Sequence, residues 1–132
     1  MTNMTTVEIK TFVPAKDFEL SKRFYTDLGF ELAWCSDDMA YFHAGGSSFL
    51  LQNFYVKELA DNFMMHLLVE DVESWWQHIS SNQIQEKYGV RVIPPVDQPW
   101  GMRDFMVDDP SGVLWRIGQN IDNNQTEAEV EK

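Results

Sequence analysis

Few side chains of this sequence have the types and spacing that catalysis requires. The three histidines, His43, His66 and His78, are spread over predicted strands and a helix, and their spacing does not make a metal-ligand cluster. Cys35 is the single cysteine, which excludes an intrachain disulfide and a paired-thiol metal motif. The sequence also lacks a phosphate-cradling glycine loop, a G-x-S-x-G nucleophile elbow and an H-E-x-x-H helix.

Two tryptophans indicate binding rather than catalysis. Trp34 and Trp100 lie in or beside predicted loops, and Trp100 stands between a proline and a glycine. A flat aromatic ligand on such rings gains buried area plus about 0.5–1.5 kcal/mol for each good stacking pair. The alternative is that these rings fill the core or a subunit interface. The helical spacing of Trp75 and Trp76 predicts a structural role for both.

Arg116 is a cation within the otherwise apolar predicted strand VLWRIGQ. A buried guanidinium needs a partner, because an unpaired buried charge is very costly. The candidates are Gln52, an acidic residue of a facing strand, or an anionic group of a ligand. The alternative is that the stem packs on apolar neighbours while the charged head reaches the rim. Trp115 lies on the opposite side of the strand and is expected to be structural.

The composition bounds the class of protein. With 132 residues, of which 44% are hydrophobic, the chain suits one packed domain. Its formal net charge of −11 argues against a nucleic-acid partner and favours a cationic ligand. We expect no membrane partner and a cytoplasmic location, because no apolar signal segment or window of about 18 apolar residues is visible.

Local signals predict the same order of elements twice. TVEIKTFVP predicts a strand that ends at Pro14, because proline cannot donate to a strand ladder. Asp17 then caps a helix that closes at Gly29, and three short strands follow. The order recurs from NFMMHLLVE, where Asp71 caps a second helix and the strands VRVIPPV, MRDFMVDD and VLWRIGQ follow.

This recurrence predicts an α+β fold of two βαβββ modules within a single domain, residues 1–122. Module one covers about residues 5–55 and module two about residues 62–120. The modules are expected to depend on each other, because about 60 residues with one helix on one sheet bury little surface. Residues 123–132 are acidic and aperiodic, and we expect them to form a disordered tail.

The doubled pattern, with FYTDLGF after the first helix and DDPSGVLWRI before the last strand, resembles the vicinal oxygen chelate superfamily. That superfamily includes glyoxalases, bleomycin resistance proteins and dioxygenases. The resemblance covers nearly all of residues 7–120, and PAKDFELSKRFYTDLGFEL together with WGMRDFMVDDPSG is most similar to the bleomycin resistance branch. It implies a glyoxalase/bleomycin resistance-type fold and a homodimer with two symmetric clefts at its interface. It leaves the chemistry open, because this fold hosts several reactions and plain binding.

In the metal enzymes of this superfamily, His, Gln or Glu ligands lie on the first and last strand of each module. The resemblance places these positions near Lys10, at Gln52, near Met64 and at Arg116. Divalent metals prefer imidazole, carboxylate or carbonyl donors. Two cations and a thioether do not suit such an ion, so we expect no metal and no other cofactor.

The leading hypothesis is therefore metal-independent sequestration of a small, flat and cationic ligand, with a role in antibiotic resistance and without catalysis. In the bleomycin resistance family, aromatic residues in regions that match Trp34 and Trp100 sandwich flat rings of the ligand. The expected ligand-binding residues are Trp34, Gln52, Met64, His66, Trp100 and Arg116.

Two alternatives stay open. His66 lies two residues beyond the expected ligand position and so on the same strand face. There it either lines the cup or binds a metal with Gln52 in a glyoxalase-like lyase or transferase, or in a dioxygenase. The other alternative is a cup for a small anionic metabolite that Arg116 anchors, with Lys10 as a second anchor.

Overall fold

The computed structural model describes residues 2–121, and the acidic tail expected over residues 123–132 lies outside them. Within residues 2–121 the strands form two four-stranded sheets, and each sheet joins one parallel pair to antiparallel neighbours. The predicted α+β architecture of two similar halves is confirmed. No helix among these residues has the length and apolar character to cross a bilayer.

The first half follows the predicted order of elements. These elements are β1 (Phe12–Pro14), α1 (Phe18–Leu28), β2 (Glu31–Cys35), β3 (Met39–Ala44) and β4 (Ser47–Gln52). Asp17 caps α1 by accepting a hydrogen bond from the Leu20 amide at 3.1 Å. The helix ends at Gly29, whose φ of 129° favours glycine. The strands form the first sheet in the order β1-β4-β3-β2.

The second half repeats this topology with two short helices added. Its elements are α2 (Lys57–Ala60), β5 (Met64–Leu68), α3 (Val72–Ser81), α4 (Ile84–Tyr88), β6 (Val92–Gln98), β7 (Met102–Asp108) and β8 (Leu114–Asn120). Asp71 caps α3 through the amides of Glu73 and Ser74 at 3.1 and 3.3 Å. The second sheet has the order β5-β8-β7-β6, which is equivalent to the first. The short helices α2 and α4 were not predicted.

Strand β1 is shorter than the sequence predicts. The segment TVEIKTFVP predicts a strand from residue 6, whereas β1 begins at Phe12, and residues 2–11 have no regular secondary structure. We call residues 2–11 the N-terminal arm. Strand propensity is insufficient here, because a ladder also needs a partner backbone. The apolar side chains of Val7 and Ile9 remain 98% and 92% exposed.

One aromatic core joins the two halves. The Trp115 ring of β8 lies 5.5 Å from the Tyr25 ring of α1 and 5.2 Å from the Phe49 ring of β4, measured between centroids. The Trp115 indole donates to the Tyr25 hydroxyl at 2.8 Å, and that hydroxyl donates to Asp109 at 2.5 Å. Trp115 is 2% exposed, which confirms its predicted structural role.

Each sheet has one face in this core and one face turned away from it, which we call the open face. On β8, Trp115 and Ile117 are buried in the core, so Arg116 between them projects from the open face. On β4, Phe49 and Leu51 are buried in the same way. The open faces therefore carry the side chains that remain available to a ligand.

Candidate functional site

The open face of the second sheet carries an ion pair. Arg116 Nη1 on β8 donates to Asp104 Oδ2 on β7 at 3.0 Å, and Asp104 is 2% exposed. Gln98 Nε2 on β6 donates to the other carboxylate oxygen at 3.0 Å. The partner of Arg116 is therefore an acidic residue of a neighbouring strand, which is one of the three candidates that the sequence left open. The Arg116 side chain stays 26% exposed.

His66 lies beside this ion pair. On β5 it is the direct register partner of Arg116, and its Nε2 lies 3.1 Å from Met102 Sδ on β7. Met102 passes close above Gly118, where an added Cβ would lie 2.9 Å from the sulfur. A glycine at this position thus allows the thioether to lie on the backbone of β8.

Met64 and Trp100 extend the same sheet at two of its edges. Met64 begins β5, two residues before His66, and is 57% exposed. Trp100 lies in the turn between β6 and β7 and is 62% exposed. Methionines provide flexible, polarisable apolar surface, and an exposed indole provides a flat one. The second sheet can therefore contact an apolar ring system next to a fixed cation.

Trp34 and Gln52 lie on the first sheet. Trp34 is part of β2, faces its register partner Tyr41 on β3, and is 55% exposed. Gln52 ends β4, between Pro14 and Met39 in the register. The six predicted binding residues are therefore divided between the two sheets. Met64, His66 and Arg116 lie on the second sheet, and Trp100 lies in a turn beside it. Within one chain they do not form a single cluster around one cup.

Sequence reasoning missed Gln98, Met102 and Asp104. The period of two along MRDFMVDD was a usable signal, because it places Met102 and Asp104 on one face of the strand. An aspartate within a strand that holds buried apolar residues also indicates a paired carboxylate. The contact of Met102 with His66 had no such signal, because it depends on how far two neighbouring strands bring their side chains together.

The side chains of this face do not fit the divalent metal that enzymes with this fold hold. Among residues 2–121, no three His, Cys, Asp or Glu side chains converge in a way that could hold a metal ion. His66 is the register partner of Arg116, and the positive charge of Arg116 would repel a metal ion bound to His66. Met64 offers a thioether, which is a poor donor for hard ions. We therefore derive no reaction step through a metal.

Comparison with protein families assigns the fold. The family model described as the Glyoxalase/Bleomycin resistance protein/Dioxygenase superfamily matches residues 7–117. The chain belongs to this superfamily. None of the curated proteins compared with the chain matches it. Members of the superfamily share the paired modules seen here, and the site of each member decides its function.

Solved structures of superfamily members resemble this chain over most of its length. A bleomycin-binding protein in complex with bleomycin is 25% identical, with a TM-score of 0.75 over 87% of this chain and 99% of that one. A bleomycin resistance determinant encoded on the transposon Tn5 is 26% identical, with a TM-score of 0.76 over 87% and 98%. TnmS3, an antibiotic-binding protein from Streptomyces sp. CB03234, is 25% identical, with a TM-score of 0.69 over 89% and 99%.

Proposed function

We propose that this protein binds and sequesters a small, flat and cationic ligand without using a metal, as an antibiotic-binding member of its superfamily. The observation that carries the proposal is the exposure of two indole rings, Trp34 at 55% and Trp100 at 62%, on or beside the open faces. Exposed aromatic rings beside polar groups mark ligand-binding surfaces. The formal net charge of −11 attracts cations over a distance.

Similar structures support the binding of an antibiotic. Of the solved relatives at 25% identity, one is a bleomycin-binding protein and another, TnmS3, is an antibiotic-binding protein. The residue types at the enzymes' ligand positions support binding without a metal, because Arg116 is a paired cation and Met64 a thioether. The proposed contact residues are Trp34, Gln52, Met64, His66, Trp100 and Arg116.

The ligand would lie between two copies of the chain. The open face of the second sheet leaves large apolar side chains in solvent, including Met64, Leu68 and Val96 at 57%, 53% and 51% exposure. Exposed apolar surface of this kind indicates an interface. In a homodimer with twofold symmetry, each cleft would combine the first sheet of one chain with the second sheet of its partner and so bring Trp34 near Trp100. Sedimentation equilibrium tests this arrangement, and a monomer at all concentrations would contradict it.

Titration of the intrinsic tryptophan fluorescence with metal-free bleomycin tests the leading function. We expect saturable quenching at micromolar ligand, because stacking on an exposed indole changes its emission. Trp34→Phe and Trp100→Phe should each remove part of the signal. An unchanged spectrum at micromolar bleomycin would rule out bleomycin as the ligand.

The free, exposed thiol of Cys35 fits our proposal that the protein works in the reducing cytoplasm.

A second candidate is the binding of a small anionic metabolite at Arg116. The observation in its favour is that Asp104 holds one guanidinium nitrogen while the side chain remains 26% exposed. The other donors of the planar guanidinium can then meet a carboxylate or phosphate. Arg116→Met should abolish binding of such an anion, measured by calorimetry with a panel of small carboxylates. The same variant should affect bleomycin binding less.

A further inference from the structure

The N-terminal arm lies against the open face of the first sheet through two charged side chains. The Glu8 carboxylate accepts hydrogen bonds from the Tyr41 hydroxyl at 3.1 Å and from the Ser48 hydroxyl. Lys10 Nζ lies 2.7 Å from the same carboxylate. These side chains are 24% and 33% exposed, although the arm itself has no regular secondary structure. The arm thus places a lysine ammonium on the open face.

The Lys10 ammonium also lies over an aromatic ring. Its Nζ is 5.3 Å from the centroid of the Tyr41 ring, within the range of a cation–π interaction. Trp34 on β2 is the register partner of Tyr41 on β3, and its side chain is 55% exposed. A cleft of about 410 Å³ opens there, and Glu8, Tyr41, His43 and Ser48 contribute to its walls.

We propose that this face of the first sheet is an ammonium-binding subsite, and that Lys10 occupies it as an internal competitor of the ligand. The subsite consists of the Tyr41 ring and the Glu8 carboxylate, and Trp34 is the register partner of Tyr41 on the neighbouring strand. This inference rests on the proposed ligand-binding function. The group that the first sheet would recognise is a primary or alkylated ammonium attached to a flat ring system.

The charges around the subsite select a cation rather than an anion. Glu8 contributes one carboxylate, and its hydrogen bonds from Lys10 and Ser48 lower its pKa to about 2. Glu31 contributes a second carboxylate at the edge of the same face, 3.3 Å from His43 Nε2. Once Lys10 has left, an anionic group would meet two negative charges and the electron-rich face of Tyr41. An ammonium meets attraction from all three.

Lys10 can leave the subsite at little cost. The arm meets the sheet backbone at Thr11, whose carbonyl accepts from the Leu50 amide at 2.9 Å, and residues before it are outside β1. Lys10 is therefore attached mainly by its partly exposed ion pair with Glu8 and by the ring of Tyr41. Exposed ion pairs of this kind contribute little stability. A ligand ammonium can replace Lys10 while Glu8 and Tyr41 keep their positions.

Calorimetric titration of the full chain with 2-(1-naphthyl)ethylammonium tests this inference. Lys10→Met should raise the affinity about threefold to tenfold, because the competitor is removed while Glu8 and Tyr41 remain. Lys10→Arg should bind like the original chain, because the guanidinium also lies well over aromatic rings. Lys57→Met is the matched control, since it changes the net charge equally at an exposed lysine of α2.

Two further measurements test whether the effect is specific to the ammonium group. The neutral analogue 2-(1-naphthyl)ethanol should show equal affinity for the original chain and for Lys10→Met. Adding Tyr41→Leu to Lys10→Met should remove the gained affinity for the ammonium. Thermal unfolding of each variant shows whether the fold is retained, and Lys10→Met alone decides the question if Tyr41→Leu unfolds the protein.

Several results would overturn the subsite. These are the absence of ammonium binding in every variant, no gain for Lys10→Met, the same gain for Lys57→Met, or an equal gain for the neutral alcohol. Failure of bleomycin to quench tryptophan fluorescence would instead remove only the antibiotic version of the function. The ammonium titration would still report on Lys10, so the two failures are distinguishable.

Discussion

Arg116 and Asp104 form an ion pair across β8 and β7, with 3.0 Å between Nη1 and Oδ2 and with Asp104 buried to 2% exposure. The sequence resemblance assigns a metal-ligand position to Arg116, which in this structure is a cation paired with a buried carboxylate. Gln98 completes the environment of the carboxylate by donating to its second oxygen at 3.0 Å. The guanidinium, the carboxylate and the amide therefore form one hydrogen-bonded polar cluster on the open face of the second sheet.

Removal of Arg116 should destabilise the fold through Asp104. Arg116→Met leaves the buried carboxylate with Gln98 alone, and we expect a loss of about 1–3 kcal/mol, below the full cost for a buried pair because Arg116 is partly exposed. The double variant Arg116→Met/Asp104→Asn should regain part of that loss. Urea unfolding measures both. Arg91→Met, which breaks the more exposed pair with Asp108, is the control and should cost less than about 1 kcal/mol.

Asp109 should make the fold less stable as the pH rises from about 4 to 6. Burial raises its pKa from 3.8 to about 6, so between these values the folded state holds a proton that the unfolded state has lost. The free energy of unfolding should fall by about 3 kcal/mol at most across this window and level off above it. Asp109→Asn should flatten the fall.

The control for this pH dependence is Asp71, the cap of α3. Hydrogen bonds from Ser74 lower the pKa of its carboxyl, so its stabilising effect is lost as the pH falls. Asp71→Asn should therefore leave the decline between pH 4 and 6 in place. Equal curves for the original chain and Asp109→Asn would show that Asp109 does not hold the proton.

Gly118→Ala should disturb the open face of the second sheet. The added Cβ would lie 2.9 Å from Met102 Sδ and 3.0 Å from Asp104 Cβ, so these side chains must move. We expect a loss of about 1–3 kcal/mol in urea unfolding, typical of overpacking. Gly46→Ala is the control, because nothing lies within 4 Å of its added Cβ. Met102→Ala should relieve part of the Gly118→Ala effect, and an unaffected Gly118→Ala variant would contradict the close packing.

Trp100→Ala should weaken ligand binding without weakening the fold. The ring is 62% exposed, so its loss should change the free energy of unfolding by less than about 0.5 kcal/mol. Affinity for bleomycin should fall about tenfold, since stacking and area burial are lost together. Phe54→Ala removes a ring that is 55% exposed outside the proposed site and should leave the affinity unchanged. Equal affinities for the two variants would exclude Trp100 from the site.

The sequence by itself determined the doubled architecture, because its signals are local. Asp17 and Asp71 cap equivalent helices through amides two or three residues away, and strand periodicity shows that Arg116 and Trp115 point to opposite faces. The expectation that no divalent metal binds also came from residue types, at the positions that the resemblance assigns to metal ligands, and it stays a prediction. Each of these inferences needs only near neighbours in the chain or a comparison of residue types.

Only the tertiary structure decided which side chains meet. It selected Asp104 as the partner of Arg116, brought Met102 to His66, and ended the sheet before the arm, which freed Lys10 to lie over Tyr41. Arg116 and Asp104 are 12 positions apart in the chain, and Met102 and His66 are 36 positions apart. These contacts depend on strand order, register and side-chain reach, which no local pattern specifies, since a slip of one residue would turn each of these side chains to the other face.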